Sequence, residues 1–298
     1  MIRFISNSRH SWILLFAAAS YLCFFLLLFI AGGDVLNSSR SSQDVPFALL
    51  LIFGAFIAPV IEEFIFRGIF AKSKVLKSIA LVVLPVSVFF YTRGNYNFMV
   101  VGLLILMALG NLLLYKNIDR TPRYLLPLLI ISNAAIFSLI HYQASDFTSM
   151  GTAVFALSQF AFALVCIWIT LNYNLVKAIL VHTIYNTVLF SIFFLGYQFV
   201  DDSVVHIGGE ALKVDYEKVP ILNTLPSQVT RDSALVEIKD MNLVDAVTYL
   251  YIPDSLKSGI KISDTYQRYN ITISSKSKIL SDRDIAWVIN KIAADNQQ

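Results

Sequence analysis

This chain is poor in charge and in cysteine, and both shortages narrow what it can be. Charged residues make up 14% of its 298 positions and hydrophobic ones 57%, against about 25% charged in a soluble domain. The first 200 positions hold only six Asp or Glu and twelve Lys or Arg residues, too few to solvate a globular surface of that length. The two cysteines, Cys23 and Cys166, fall in separate apolar runs. They exclude a disulfide framework and a thiolate metal site, and read as packing residues. No basic cluster with interleaved aromatics occurs, so a nucleic-acid partner is not expected. The zinc-peptidase signature HExxH is absent, as are GxSG and GxGD.

Long apolar runs are what the chain has instead. Spans are expected near 12–31, 46–70, 75–92, 97–115, 124–142, 150–171 and 174–196, each reaching or approaching the ~20 residues that cross ~30 Å of hydrocarbon. The first has an apolar core too long for a signal peptide and is read as a retained helix. The expected fold is therefore an all-α polytopic membrane bundle of about seven helices. Lys and Arg mark cytoplasmic loops. Arg3 and Arg9, then Lys72, Lys74 and Lys77, then Lys116, Arg120 and Arg123, and finally Lys177 occupy alternate loops. That pattern predicts a multi-pass protein of the plasma or inner membrane. Its N-terminus is expected in the cytoplasm and the segment after 200 outside it.

Residues 201–298 are a different polymer, with fourteen acids, eleven Lys or Arg and no long apolar run. They are expected to form a small soluble α+β domain, separate from the membrane domain at 1–200. Val236 and Ile238, then Ile271 and Ile273, alternate with polar residues as half-buried strands do. Asn242 to Leu250 reads as a helix. Ser281 to Asp284 resembles a capping box, followed by Ile285, Val288, Ile289 and Ile292 at helical spacing. This domain is a soluble appendage or a binding part for a partner.

Three polar clusters interrupt the apolar spans: Glu62-Glu63-Phe-Ile-Phe-Arg67, Phe137-Ser-Leu-Ile-His141 and His182-Thr-Ile-Tyr-Asn186. A carboxylate at bilayer depth costs roughly 2.5–3.5 kcal/mol on insertion scales, so two adjacent ones need a reason. Helical positions i and i+4 share a face, whereas neighbours point about 100° apart. Arg67 is thus placed to pair with Glu63 as a structural ion pair, and Glu62 is left for chemistry as a general base or acid. His141 has Phe137 one turn before it on the same face. His182 and Asn186 share a face and offer two donors to one point, as a developing oxyanion requires.

EExxxR, FxxxH and HxxxN in this order, all in apolar helices, resemble the CPBP family. It contains type II CAAX prenyl endopeptidases and bacteriocin-processing or immunity (Abi) proteins. The likeness covers about 45–196. It implies an intramembrane endopeptidase acting on membrane peptide or protein substrates, lipidated CAAX tails or leader peptides among them. By the family's pattern Glu62 and His141 activate a water, His182 and Asn186 steady the oxyanion, Glu63 and Arg67 form the structural pair, and Phe137 lines the site. Members commonly carry one loop between EExxxR and FxxxH. Here residues 64–140 intervene, room for two added helices, and the expected topology sets Glu62 in the inner half of its helix with His141 near the outer end of its own. The family is often labelled a metalloprotease. The favoured reading is metal-free, while Glu62, His141 and His182 are the set that would hold zinc. A proton-coupled transporter and a non-catalytic immunity or interaction protein are the competing readings.

Overall fold

The computed structural model describes residues 10–31, 47–91, 124–142, 150–209, 211–222, 226–260, 262, 266–276 and 279–295. Among the described residues, helical stretches come first. They are α1 (Ser11–Ala31), α2 (Phe47–Ile52) running through a π-helical turn (Phe53–Ile57) into α3 (Ala58–Arg67), a 3-10 turn (Gly68–Phe70), α4 (Lys74–Tyr91), α5 (Leu125–Leu139), α6 (Met150–Asn172) and α7 (Leu175–Gln198).

Among the described residues three helices are long and apolar enough to cross a membrane: Ser11–Phe29, Gly151–Asn172 and Leu175–Gln198. The protein is therefore an integral membrane protein, but the expected count of seven spans is not reproduced. The stretch expected at 46–70 is divided by its π-turn, and α4 carries Pro85 inside it. The run at 97–115 lies outside the described residues. The span expected at 124–142 is α5, shorter than anticipated at 15 residues.

Helix α6 is the centre of the membrane unit. Helices α1 and α5 both pack along it, and Ala161, Leu164, Cys166 and Ile167 on it are fully covered. Helix α7 shows how lipid inverts the usual pattern. Leu180, Ile184 and Val188, one turn apart, are exposed, while Ala178 and His182 are buried. A water-soluble helix would hide the leucine stripe and expose the histidine.

The chain divides into two compact units, one holding Leu51–Thr187 with the N-terminal helix, the other Val188–Gln298 with a short piece before Leu51. The division falls inside α7 instead of at residue 200. Within the second unit the last turn of α7 is held by two bonds: Ile221 N–H donates to the Tyr197 carbonyl, and Leu222 N–H to Gln198 Oε1.

That second unit is α+β. It holds an antiparallel sheet in the order β1-β2-β5-β4-β3, from β1 (Val205–Gly208), β2 (Leu212–Val219), β3 (Gln228–Arg231), β4 (Leu235–Asn242) and β5 (Arg268–Ser275). Val236 pairs with Ile273 and Ile238 with Ile271, all four buried, so one sheet face is apolar. Three helices accompany the sheet: α8 (Leu243–Tyr249), α9 (Asp254–Lys257) and α10 (Asp282–Asp295). Helix α10 places Ile285, Val288, Ile289 and Ile292 in the same core as those strand residues. Both helix starts anticipated from the sequence are formed. Asn242 accepts from Asp245 N–H, and Ser281 and Asp284 exchange the two bonds of a capping box.

Candidate active site

Four helical segments of the membrane unit build the site, and two of its side chains are held by carbonyls at breaks in those helices. The first break is the π-turn, whose backbone bonds reach one residue further than in an α-helix. Ala58 N–H donates to the Phe53 carbonyl. The next donor in that pattern would come from position 59, and Pro59 has none. The Gly54 carbonyl is left for another donor, and Asn186 Nδ2 of α7 supplies it at 2.8 Å. Asn186→Ala is expected to cost about 1–3 kcal/mol, since the carbonyl loses its donor. Pro59→Ala in the same protein would return an N–H and recover part of the loss. Thermal unfolding of the two variants checks both.

The second break is the end of α5. It stops at Leu139, with Ile140 as its cap, where carbonyls run out of in-helix donors. His141 turns back and its Nδ1 lies 2.7 Å from the Phe137 carbonyl. A carbonyl only accepts, so His141 carries its hydrogen on Nδ1 and directs Nε2 outward. That Nε2 lies 3.9 Å from Glu62 Oε1. The depth mismatch expected between Glu62 and His141 is thereby corrected. A 15-residue helix rises about 22 Å, short of the ~30 Å hydrocarbon, so its end can lie level with the middle of another helix.

His182 sits between the two glutamates. Its Nδ1 is 2.8 Å from Glu63 Oε1, and its Nε2 is 3.7 Å from Glu62 Oε2. Both imidazoles thus present Nε2 to the same carboxylate. Glu63 and Arg67 are 0% exposed, and His182 only 3%, whereas the Glu62 side chain keeps 16% and His141 25%. The pair of carboxylates expected from the sequence divides accordingly, one sealed and one accessible.

Glu63 Oε2 and Arg67 Nε are 3.5 Å apart, an ion pair too long for a hydrogen bond. The guanidinium carbon lies 4.0 Å from the centre of the Phe137 ring, close enough for a cation–π contact. Phe137, expected to line the site, is 3% exposed and serves as the floor under Arg67. Its ring also meets His141 edge-on with centroids 5.0 Å apart.

The structure brings Glu62, Glu63, Arg67, Phe137, His141 and His182 into one cluster, with Asn186 one turn after His182 and bonded to the Gly54 carbonyl. Sequence reasoning missed three neighbours. Asn133, fully buried, donates to the Phe66 carbonyl at 2.8 Å and ties α5 to α3. Its signal was present, because Asn133, Phe137 and His141 recur every four residues along one face. Phe162 packs edge-on against the His182 ring with centroids 5.0 Å apart, and Cys166 is buried one turn later on α6. Neither stands out from an apolar run. Among the described residues no group of three or more His, Cys, Asp or Glu side chains is arranged to hold a metal ion.

Residues 44–188 match the family described as type II CAAX prenyl endopeptidase, Rce1-like. The likeness to that family is confined to this segment. The match ends at Val188, one residue past the end of the first compact unit, and takes in every member of the cluster. The CPBP likeness of the three motifs is thereby supported, and the Rce1-like core is that of a CAAX-type intramembrane protease. Neither curated proteins nor solved structures gave a match.

Proposed function

We propose that the Rce1-like core hydrolyses a peptide bond at the membrane, with Glu62 and His141 activating the attacking water. One observation carries this reading. Two imidazole Nε2 atoms lie 3.9 and 3.7 Å from the two oxygens of one carboxylate. Such separations exceed a direct hydrogen bond and suit a bridging water.

The reaction needs one water and balances without a cofactor. Glu62, with His141 Nε2 beside it, takes a proton from the water, and the oxygen adds to the substrate carbonyl carbon. His182 Nε2–H and the second amide hydrogen of Asn186, the first being given to the Gly54 carbonyl, donate to the oxyanion. When the C–N bond breaks, the proton held by Glu62 passes to the leaving amine, giving a carboxylate and an amine. Glu62 suits the shuttle because it is the accessible carboxylate of the two. The substrate class we assign is a membrane-held peptide, with a prenylated CAAX tail as the first to try.

The test is cleavage of a prenylated CAAX peptide by the purified chain in lipid. Cleavage that persists in excess chelator is expected. Loss of activity that zinc restores would overturn the metal-free mechanism, and a catalytically silent wild-type protein across prenylated and leader-type peptides would overturn the peptidase reading.

A further inference from the structure

The two site histidines are not held alike. Each points Nε2 at Glu62, but behind His141 stands a neutral carbonyl, Phe137 O at 2.7 Å, and behind His182 a carboxylate, Glu63 Oε1 at 2.8 Å. The expected role of Glu63 is partner to Arg67, yet its contact to His182 is the shorter by far, 2.8 Å against 3.5 Å. An ionised carboxylate only accepts, so His182 carries a hydrogen on Nδ1.

From this we infer that Glu63 is a positioning residue for the reaction, orienting His182 and keeping a hydrogen on its Nδ1, a role separate from its ion pair with Arg67. The inference rests on the peptidase reading. With Nδ1–H committed to Glu63, Nε2 is the ring atom left facing the oxyanion; to donate there the ring must hold a second proton on Nε2, and the Glu63 carboxylate stands where it would balance that imidazolium. His141 has a carbonyl behind its Nδ1 instead of a carboxylate and acts as the acceptor beside Glu62. The two imidazoles therefore do different work, set by what stands behind each ring.

The surroundings of His182 agree. From α3 it faces Glu62, Glu63 and, beyond Glu63, Arg67. From α5 it meets Phe137 and from α6 Phe162, rings at 6.0 and 5.0 Å between centroids. Cys166 of α6 is near Glu63, and Tyr185 follows on α7 against Phe162. Aromatic walls on two sides leave the ring little freedom to flip, so the two carboxylates hold its two nitrogens.

Four histidines occur in the chain, which makes nitrogen-15 histidine labelling readable. The spectrum of the wild-type protein in lipid is compared with that of His182→Gln to assign the ring, then with Glu63→Gln and Arg67→Met. The expected results are an Nδ1–H signal for His182 in the wild type, retained in Arg67→Met and replaced by mixed tautomers in Glu63→Gln. In Glu63→Gln kcat should fall on the order of 10²-fold or more, as when a triad carboxylate is made an amide, with KM within a few-fold. A wild-type His182 protonated on Nε2 alone would overturn the inference, and this measurement needs no variant to fold. So would a Glu63→Gln protein that loses stability as Arg67→Met does while keeping tautomer and kcat. If the wild type cleaves nothing, the peptidase reading fails by itself, and the tautomer comparison still decides whether Glu63 orients His182.

Discussion

Glu62→Gln protein is expected to fold, enter lipid and cleave no peptide. The substitution keeps the shape of the side chain and removes the one carboxylate in the cluster that is accessible, at 16% exposure. A glutamine cannot take a proton from water, and both His141 Nε2 and His182 Nε2 would then face an amide in its place. General-base catalysis contributes roughly 10²–10⁴-fold, and the loss here should reach at least the upper part of that range because the neighbouring carboxylate cannot take over: Glu63 is sealed against His182 and Arg67. Turnover of a prenylated CAAX peptide by matched amounts of the two proteins measures it. Equal turnover would remove Glu62 from the chemistry. Unfolding temperatures within a few degrees of each other would show that the loss is chemical.

Arg67→Ala should act in the opposite sense, on stability before chemistry. The guanidinium is 0% exposed, 3.5 Å from Glu63 Oε2 and 4.0 Å above the Phe137 ring. Its removal takes away a counter-charge and opens a space between α3 and α5. Breaking a buried pair by deleting one partner costs about 3–5 kcal/mol, so the variant should unfold well below the wild type or fail to accumulate. Arg67→Lys should recover only part of this, because an ammonium lacks the flat face that lies over Phe137. Denaturant unfolding in detergent micelles gives the comparison. A cost below about 1 kcal/mol would mean that Glu63 is satisfied by His182 alone.

Much of this site is visible in the spacing of a few residues. The four-residue step from Glu63 to Arg67 separates a paired carboxylate from an available one, and that division reappears as 0% against 16% exposure. What spacing cannot carry is where a helix stops. Nothing in the run from Leu125 to Tyr142 marks an end at Leu139, yet this end sets His141 level with Glu62. The bond from His182 to Glu63 is equally hidden, for it joins positions 119 apart and depends on how α7 is rotated against α3. In the C-terminal unit the alternating strands β4 and β5 and the two capped helices are legible. Strands β1 and β3 are four residues long, too short for a period to show. Strand β2 has the alternation, with Val214 and Tyr216 buried between charged neighbours, but it sits beside the acidic start of the unit.

Pro59 sets an order on assembly. As the chain is made, Gly54 enters the membrane 132 residues ahead of Asn186. Its carbonyl cannot be served from within its own helix, and the hydrocarbon has nothing to offer it. The nascent α2–α3 segment is thus an unfinished piece, polar at its waist, until α7 is synthesised and docks. The contact that finishes it also delivers His182 to Glu62. Satisfying the Gly54 carbonyl and assembling the proposed site thus wait on the same helix, and a chain truncated before α7 would lack both.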